Sequence, residues 1–122
     1  MSKTILAVDD SPTMLQTISI ALENAGHSVM TAKNGAEALE RLKGNDKFHA
    51  IITDVNMPIM DGITLIGEIR KLPYRRFTPI IILTTESQMQ RKEEGKKAGA
   101  TGWIVKPFKP EQLVEVIKKV CP

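Results

Sequence analysis

Apolar residues come in two textures along this chain: short, nearly continuous runs, and longer stretches in which they recur every three or four positions. The runs are Thr4 to Val8, Ser28 to Ala32, Ala50 to Thr53, Ile80 to Leu83 and Gly102 to Val105. Each has the length of a strand. The stretches between them have helical periodicity. Ser11-Pro12 supplies an N-cap with proline at the first helical position, Leu15, Ile18, Leu22 and Ala25 make the stripe to be buried, and Gly26 ends it. Asn34-Gly35 opens a second helix with Ala38, Leu39 and Leu42 inward, closed by Gly44-Asn45. Leu65, Ile66, Ile69 and Leu72 mark a third, which Pro73 cannot continue. A fourth, about Gln88 to Ala98, has Met89 as its one large apolar residue and contains Gly95, which costs roughly 1 kcal/mol against alanine. It is expected to be weakly anchored. Pro110 opens the last, with Leu113, Val114, Ile117 and Val120 inward.

Strands and helices that alternate, with runs apolar on both faces, predict a doubly wound α/β domain in which helices cover both sides of a five-stranded parallel sheet. Repeats, low-complexity segments and linkers are absent from the sequence. At 122 residues and 42% hydrophobic composition, positions 1–122 are expected to form one domain without a separate output module. The start, Met1-Ser2-Lys3-Thr4, leads into a strand, and no apolar run approaches the ~20 residues of a membrane span. A cytoplasmic location without membrane contact is therefore expected. Cys121 is the sole cysteine, which rules out an internal disulfide and reads as a small apolar residue at the last helix. The net charge of +3 is uneven: positions 1–61 hold 5 Lys/Arg and 8 Asp/Glu, positions 62–122 hold 12 and 6. The basic residues are interleaved with Glu, as in Arg91-Lys92-Glu93-Glu94-Gly95-Lys96-Lys97, so they describe a solvated helix and not a nucleic-acid surface.

The candidate chemistry starts at Asp54, where the third run stops on an acid followed by Asn56 and Pro58. Alone, such an acid is most often a turn former or a helix cap. The topology changes that. Right-handed crossovers put the C-terminal ends of all parallel strands on one rim, where open α/β sheets bind their ligands. Asp9 and Asp10 follow the first strand, Asp54 the third, Thr84 the fourth and Lys106 the fifth. Three carboxylates a few ångströms apart must protonate, pair or bind metal, and one lysine cannot neutralise three. Oxygen donors without His or Cys partners suit a hard divalent ion, Mg²⁺ (or Mn²⁺) above all. His27 and His49 precede strands, on the opposite rim. Acids, hydroxyl and lysine together point to phosphoryl transfer. Asp54 is the expected nucleophile, with the metal, Lys106 and the Thr84 hydroxyl each taking one phosphoryl oxygen. Pro107 stiffens the loop that carries Lys106, through a trans or a cis bond.

Asp9-Asp10, the segment Asp54-x-Asn56-Met57-Pro58-x-Met60-Asp61-Gly62, Thr84 and Gly102-Trp103-Ile104-Val105-Lys106-Pro107-Phe108 follow one another in an order and spacing that resembles the response-regulator receiver domains of two-component signalling, in particular the single-domain chemotaxis members. The resemblance spans essentially the whole chain. It implies a flavodoxin-like strand order of 2-1-3-4-5. It implies phosphorylation of Asp54 by a histidine kinase, with Mg²⁺ held by Asp10, Asp54 and the backbone carbonyl of Asn56, and by Asp9 through water. It implies a switch in which Thr84 turns toward the phosphoryl group and the aromatic at Trp103, a tyrosine in many members, moves inward. Asn56 and Glu86 occupy positions that tune the lifetime of the phosphoryl group. The implied partners are the kinase, a phosphatase, and a downstream protein bound by the face of the fourth helix, fifth strand and fifth helix, the flagellar motor switch among the candidates. The protein is expected to be a monomer and to act as a switch, not as an enzyme on an external substrate.

Some alternative functions need the same residues. A phosphorelay intermediate or a phosphate sink would use this domain unchanged. An Mg²⁺-dependent aspartyl-phosphate phosphohydrolase would need a cap or substrate pocket beyond the bare sheet and helices. A flavin or nucleotide carrier would need a phosphate loop after the first strand, where two acids stand instead.

Overall fold

The computed structural model describes residues 3–44, 47–85 and 91–121. In chain order the elements are β1 (Thr4–Val8), α1 (Pro12–Asn24), β2 (Ser28–Ala32), α2 (Gly35–Leu42), β3 (Ala50–Asp54), α3 (Gly62–Lys71), β4 (Ile80–Thr85), α4 (Lys92–Ala98), β5 (Gly102–Lys106) and α5 (Pro110–Val120). All strand pairs are parallel and the sheet order is β2-β1-β3-β4-β5. This is the doubly wound, flavodoxin-like arrangement expected from the sequence.

Strand residues alternate between two cores. Leu6, Val8, Ile51, Ile80 and Ile82 face one side and pack with Ala38, Leu65, Ile66 and Ile69 of α2 and α3. Ile5, Ala7, Ile52, Ile81 and Leu83 face the other and pack with Ile18 and Leu22 of α1 and Leu113 and Ile117 of α5. Both faces of the sheet are thus removed from water, each large aliphatic side chain contributing about 1.5–3 kcal/mol of burial.

The caps act as their residue types dictate. Ser11 accepts from the Met14 N–H at 3.2 Å, Asn34 from Glu37 at 2.8 Å and Asp61 from Thr64 at 2.8 Å, each satisfying an orphan donor of the first turn.

Several boundaries differ from the sequence reading. Asp54, Thr84 and Lys106 are strand residues and do not follow their strands, because ladder pairing continues through Asp54↔Leu83, Thr84↔Val105 and Thr85↔Lys106. Ala25 is exposed: α1 ends one residue earlier, and Ala25 serves as its C-cap. Among the described residues α4 begins at Lys92; Gln88 and Met89, like Asn45 at the end of α2, lie outside them. Gly95 is the one buried residue of α4, and a Cβ there would overlap Cδ1 of Ile82. The glycine that weakens this helix is therefore what lets it approach β4. Among the described residues no helix is long and apolar enough to cross a membrane.

Candidate functional site

The parallel ladder carries β1, β3, β4 and β5 to one rim, and the side chains expected there do meet. Asp9, Asp10 and Asp54 each offer a carboxylate oxygen within 4.8 Å of the others'. Asp9 is 1% and Asp54 7% exposed, whereas Asp10 lies open to solvent. Lys106 reaches between the two buried acids, its Nζ 3.1 Å from Asp54 Oδ1 and 3.6 Å from Asp9 Oδ2. The Lys106-Pro107 peptide is cis.

The two oxygens of Asp54 are unequal. Oδ1 accepts from Lys106 and from the Val55 N–H at 2.9 Å, while among the described residues Oδ2 accepts no hydrogen bond. One oxygen is held, and the other is left for chemistry. Asp9 is divided in the same way: Oδ1 accepts from the Ser11 N–H at 2.9 Å, and Oδ2 is buried without a hydrogen-bond partner. Burial, reinforced by Asp54 and Asp10, pushes the Asp9 carboxyl above the usual range; the Ser11 N–H and Lys106 pull the other way without cancelling it. An orphaned buried oxygen beside two more carboxylates is what an oxygen-binding cation would satisfy. The donor set therefore fits Mg²⁺.

Thr84 is buried on the same sheet face as Ile82, its hydroxyl donating to the Thr85 carbonyl at 3.2 Å. Trp103 pairs with Ile82 across the ladder and packs half-buried on the core under α3 and α4, with Lys92 Nζ 3.7 Å from its ring centroid. Asn56 is exposed and sits past β3, and Glu86 lies outside the described residues. His27 and His49 stand at the opposite rim, where their Nδ1 atoms accept from the backbone of Lys3 and Thr4.

Two features escaped the sequence. Arg91, one residue before α4, spans the β3–α3 loop: its guanidinium lies 3.3 Å from Asp61 Oδ2 and 3.5 Å from Asn56 Oδ1. Gly62 permits α3 to begin directly against the end of β3, since its N–H donates to Val55 O at 2.8 Å and a Cβ would overlap the Asp54 carbonyl. The arginine stood in a run that reads as solvated charge, and close backbone approach leaves no periodic signal. In the same β3–α3 loop Ile59, 80% exposed, holds φ at 72°, a strained conformation for a β-branched residue.

Comparison with known proteins agrees with this fold. The pattern of the family described as response regulator receiver domain matches residues 5–118. The chain belongs to that family. This receiver domain is 39% identical over 117 residues to the chemotaxis protein CheY1 of Helicobacter pylori, covering 95% of the chain and 94% of the relative. Its fold is similar to the solved chemotaxis response regulator CheY4 of Vibrio cholerae, with a TM-score of 0.91 at 45% identity, covering 98% of this chain and 99% of that one. It is also similar to the receiver domain of the sensor histidine kinase PA1611 of Pseudomonas aeruginosa, solved with a magnesium ion coordinated in its active-site cleft, with a TM-score of 0.90 at 28% identity, covering 99% and 98%.

Proposed function

We propose that this receiver domain is a phosphorylation-controlled switch of a two-component system, acting in chemotaxis, that accepts a phosphoryl group on Asp54 from a histidine kinase. The observation that carries this is the rim itself: a buried aspartate with one oxygen free, two further acids, and a lysine bound to the held oxygen.

In the transfer, Asp54 Oδ2 attacks phosphorus in line with the donor nitrogen; the O–P bond forms, the N–P bond breaks, and the imidazole keeps the electron pair. Lys106 and the Val55 N–H fix Asp54 so that attack needs no reorientation, and Lys106 offers its charge to a phosphoryl oxygen. Asp10 and Asp54, with the Asn56 carbonyl, would hold Mg²⁺, and Asp9 would reach it through water. When bound, the ion neutralises acid and phosphoryl charge that would otherwise repel.

The Thr84 hydroxyl gives up the Thr85 carbonyl for the new phosphoryl group, opening space on the face it shares with Trp103. Trp103 moves into that space, and the surface of α4, β5 and α5 changes for a downstream protein. With Gly95 its one buried residue, α4 belongs to the low-stability part of the fold, where a moving element is expected. Relatives named for chemotaxis support that process as the setting.

Incubation with acetyl phosphate and Mg²⁺ tests this: intact mass should rise by one phosphoryl group, ~80 Da. Retention of that gain in Asp54→Asn, or its absence from the parent with every phosphodonor tried, would overturn the assignment.

A further inference from the structure

The loop between α3 and β4 stands on the rim opposite Asp54, and it presents what a folded chain ordinarily hides. Phe77 is 90% and Tyr74 85% exposed, and Arg76 lies between them in sequence with its guanidinium 5.8 Å from the Phe77 ring centroid. The aromatics are not on a loose tail. Arg70 donates to the carbonyls of Arg75 at 2.8 Å and Thr78 at 2.7 Å, and, across to the end of α4, to Gly99 at 2.8 and 3.1 Å. Arg75 is itself buried; it donates to the Leu42 carbonyl at the end of α2 and lies over the Phe48 ring. Two arginines thus tie the loop to the C-terminal ends of three helices. Such bracing is far more than solvent display of two rings requires.

The charge of the loop is focal. Positions 69–85 hold Arg70, Lys71, Arg75 and Arg76 and no Asp or Glu. Arg70 and Arg75 are turned inward onto carbonyls, and Lys71, largely exposed, has its charge offset by Glu68 at 2.8 Å. Arg76 is exposed and makes no ion pair among the described residues. A lone accessible guanidinium flanked in sequence by exposed aromatic rings on a hydrogen-bonded loop matches a carboxylate accompanied by an apolar side chain. A lipid surface or a nucleic-acid strand would instead call for a broad track of free cations, and the neighbouring lysines are interrupted by Glu40 and Glu68.

We propose that Tyr74, Arg76 and Phe77 form a second docking surface, which binds a short acidic, apolar-containing segment of a partner protein. Docking here leaves Asp54 and the α4–β5–α5 face uncovered, so the domain can be localised and phosphorylated at once. Binding is independent of the phosphorylation state.

The test is titration of isotope-labelled protein with short synthetic peptides carrying Asp and Glu around a central Leu-Phe pair, followed by amide NMR shifts. Matched peptides with Lys for each acid, anionic phosphatidylglycerol vesicles and single-stranded DNA are run in parallel. Saturable shifts centred on positions 71–78 are expected with the acidic peptides, weakened about tenfold or more by Arg76→Glu and by Phe77→Ser, and unaltered by prior incubation of the protein with acetyl phosphate and Mg²⁺. Both exposed substitutions should leave the melting temperature unchanged, which separates lost docking from lost folding. The proposal is overturned if the Lys peptides bind equally, if the shifts lie elsewhere, if either substitution has no effect, or if vesicles or DNA are the better ligand. Failure of the acetyl phosphate experiment would leave this result intact, and the converse also holds.

Discussion

Gly62→Ala adds a single methyl group and should damage both the fold and the chemistry. Gly62 opens α3, and a Cβ there would overlap the Asp54 carbonyl oxygen and lie 3.0 Å from both the Asp54 carbonyl carbon and Val55 Cα. Carbon atoms in contact prefer about 3.5–4.0 Å, and the overlapped carbonyl oxygen is nearer than either carbon, so the start of α3 and the end of β3 must part by roughly 1 Å or more. The atoms in the way are backbone, and β3 is enclosed by β1 and β4, so no side chain can turn aside. Overpacking of this kind costs about 1–3 kcal/mol, against at most about 1 kcal/mol gained from helix propensity. The displaced peptide is the one whose Val55 N–H holds Asp54 Oδ1, and misplacing a reacting group by about 1 Å can cost on the order of 100-fold in rate. The assay is the initial rate of acetyl phosphate-dependent mass gain, measured with the melting temperature. Gly67→Ala is the control, because on the same helix its Cβ would meet nothing within 4 Å. Gly62→Ala should be phosphorylated at least about tenfold more slowly and melt lower, and Gly67→Ala should be phosphorylated at the parent rate. Phosphorylation of Gly62→Ala at the parent rate with unchanged melting, or equal loss in both variants, would refute the steric reasoning.

Three further outcomes follow from other parts of the structure. Asp9→Asn should raise the melting temperature in the absence of metal, by about 4 °C per kcal/mol gained, because a neutral amide keeps the Ser11 contact without the cost of burying a charge that Asp54 and Asp10 also repel; it should also weaken Mg²⁺ binding, read by titration. Burial and the cations beside it, Lys3 among them, lower the pKa of His27 below 6.5, and its Nδ1 accepts the Lys3 N–H; the unfolded chain therefore binds the extra proton first, and stability falls as pH drops through 6.5 toward the folded value. Urea midpoints at pH 7.5 and 5.5 should differ more for the parent than for His27→Gln, and equal differences would remove His27 from the account. Trp103, the sole tryptophan, should change its fluorescence on phosphorylation but little with Mg²⁺ alone; an unchanged spectrum after confirmed phosphorylation would exclude the proposed aromatic movement.

The sheet was legible because each of its strands is a short apolar run between helix signals, and β1 and β2 have the bounds that the runs suggest. Ser11 and Asn34 cap the helices their chemistry announced. The cluster of Asp9, Asp10, Asp54 and Lys106 could be anticipated because parallel topology alone brings these strand ends together. What escaped was set by distance between backbones or by long side chains. Nothing in the spacing around Gly62 or Gly95 announces that a helix comes too close for a Cβ. Arg91 and Arg70 were two of many surface-looking cations, yet one bridges the loop beside Asp54 and the other braces the α3–β4 turn. The apolar runs stop short of the strand ends because Thr84 and Lys106 are polar, whereas the ladder, which pairs backbone and not side chains, runs on through them.

The central claim is that Asp54 becomes covalently phosphorylated, and reductive trapping tests it most directly. Protein treated with acetyl phosphate and Mg²⁺ is reduced with borohydride, which converts an aspartyl phosphate to homoserine, and the peptides are sequenced by mass spectrometry. Homoserine at position 54, dependent on phosphodonor and Mg²⁺ and absent from Asp54→Asn, is the predicted result. Homoserine at position 9, 10 or 61 in its place, or at no position after confirmed gain of a phosphoryl mass, would contradict it.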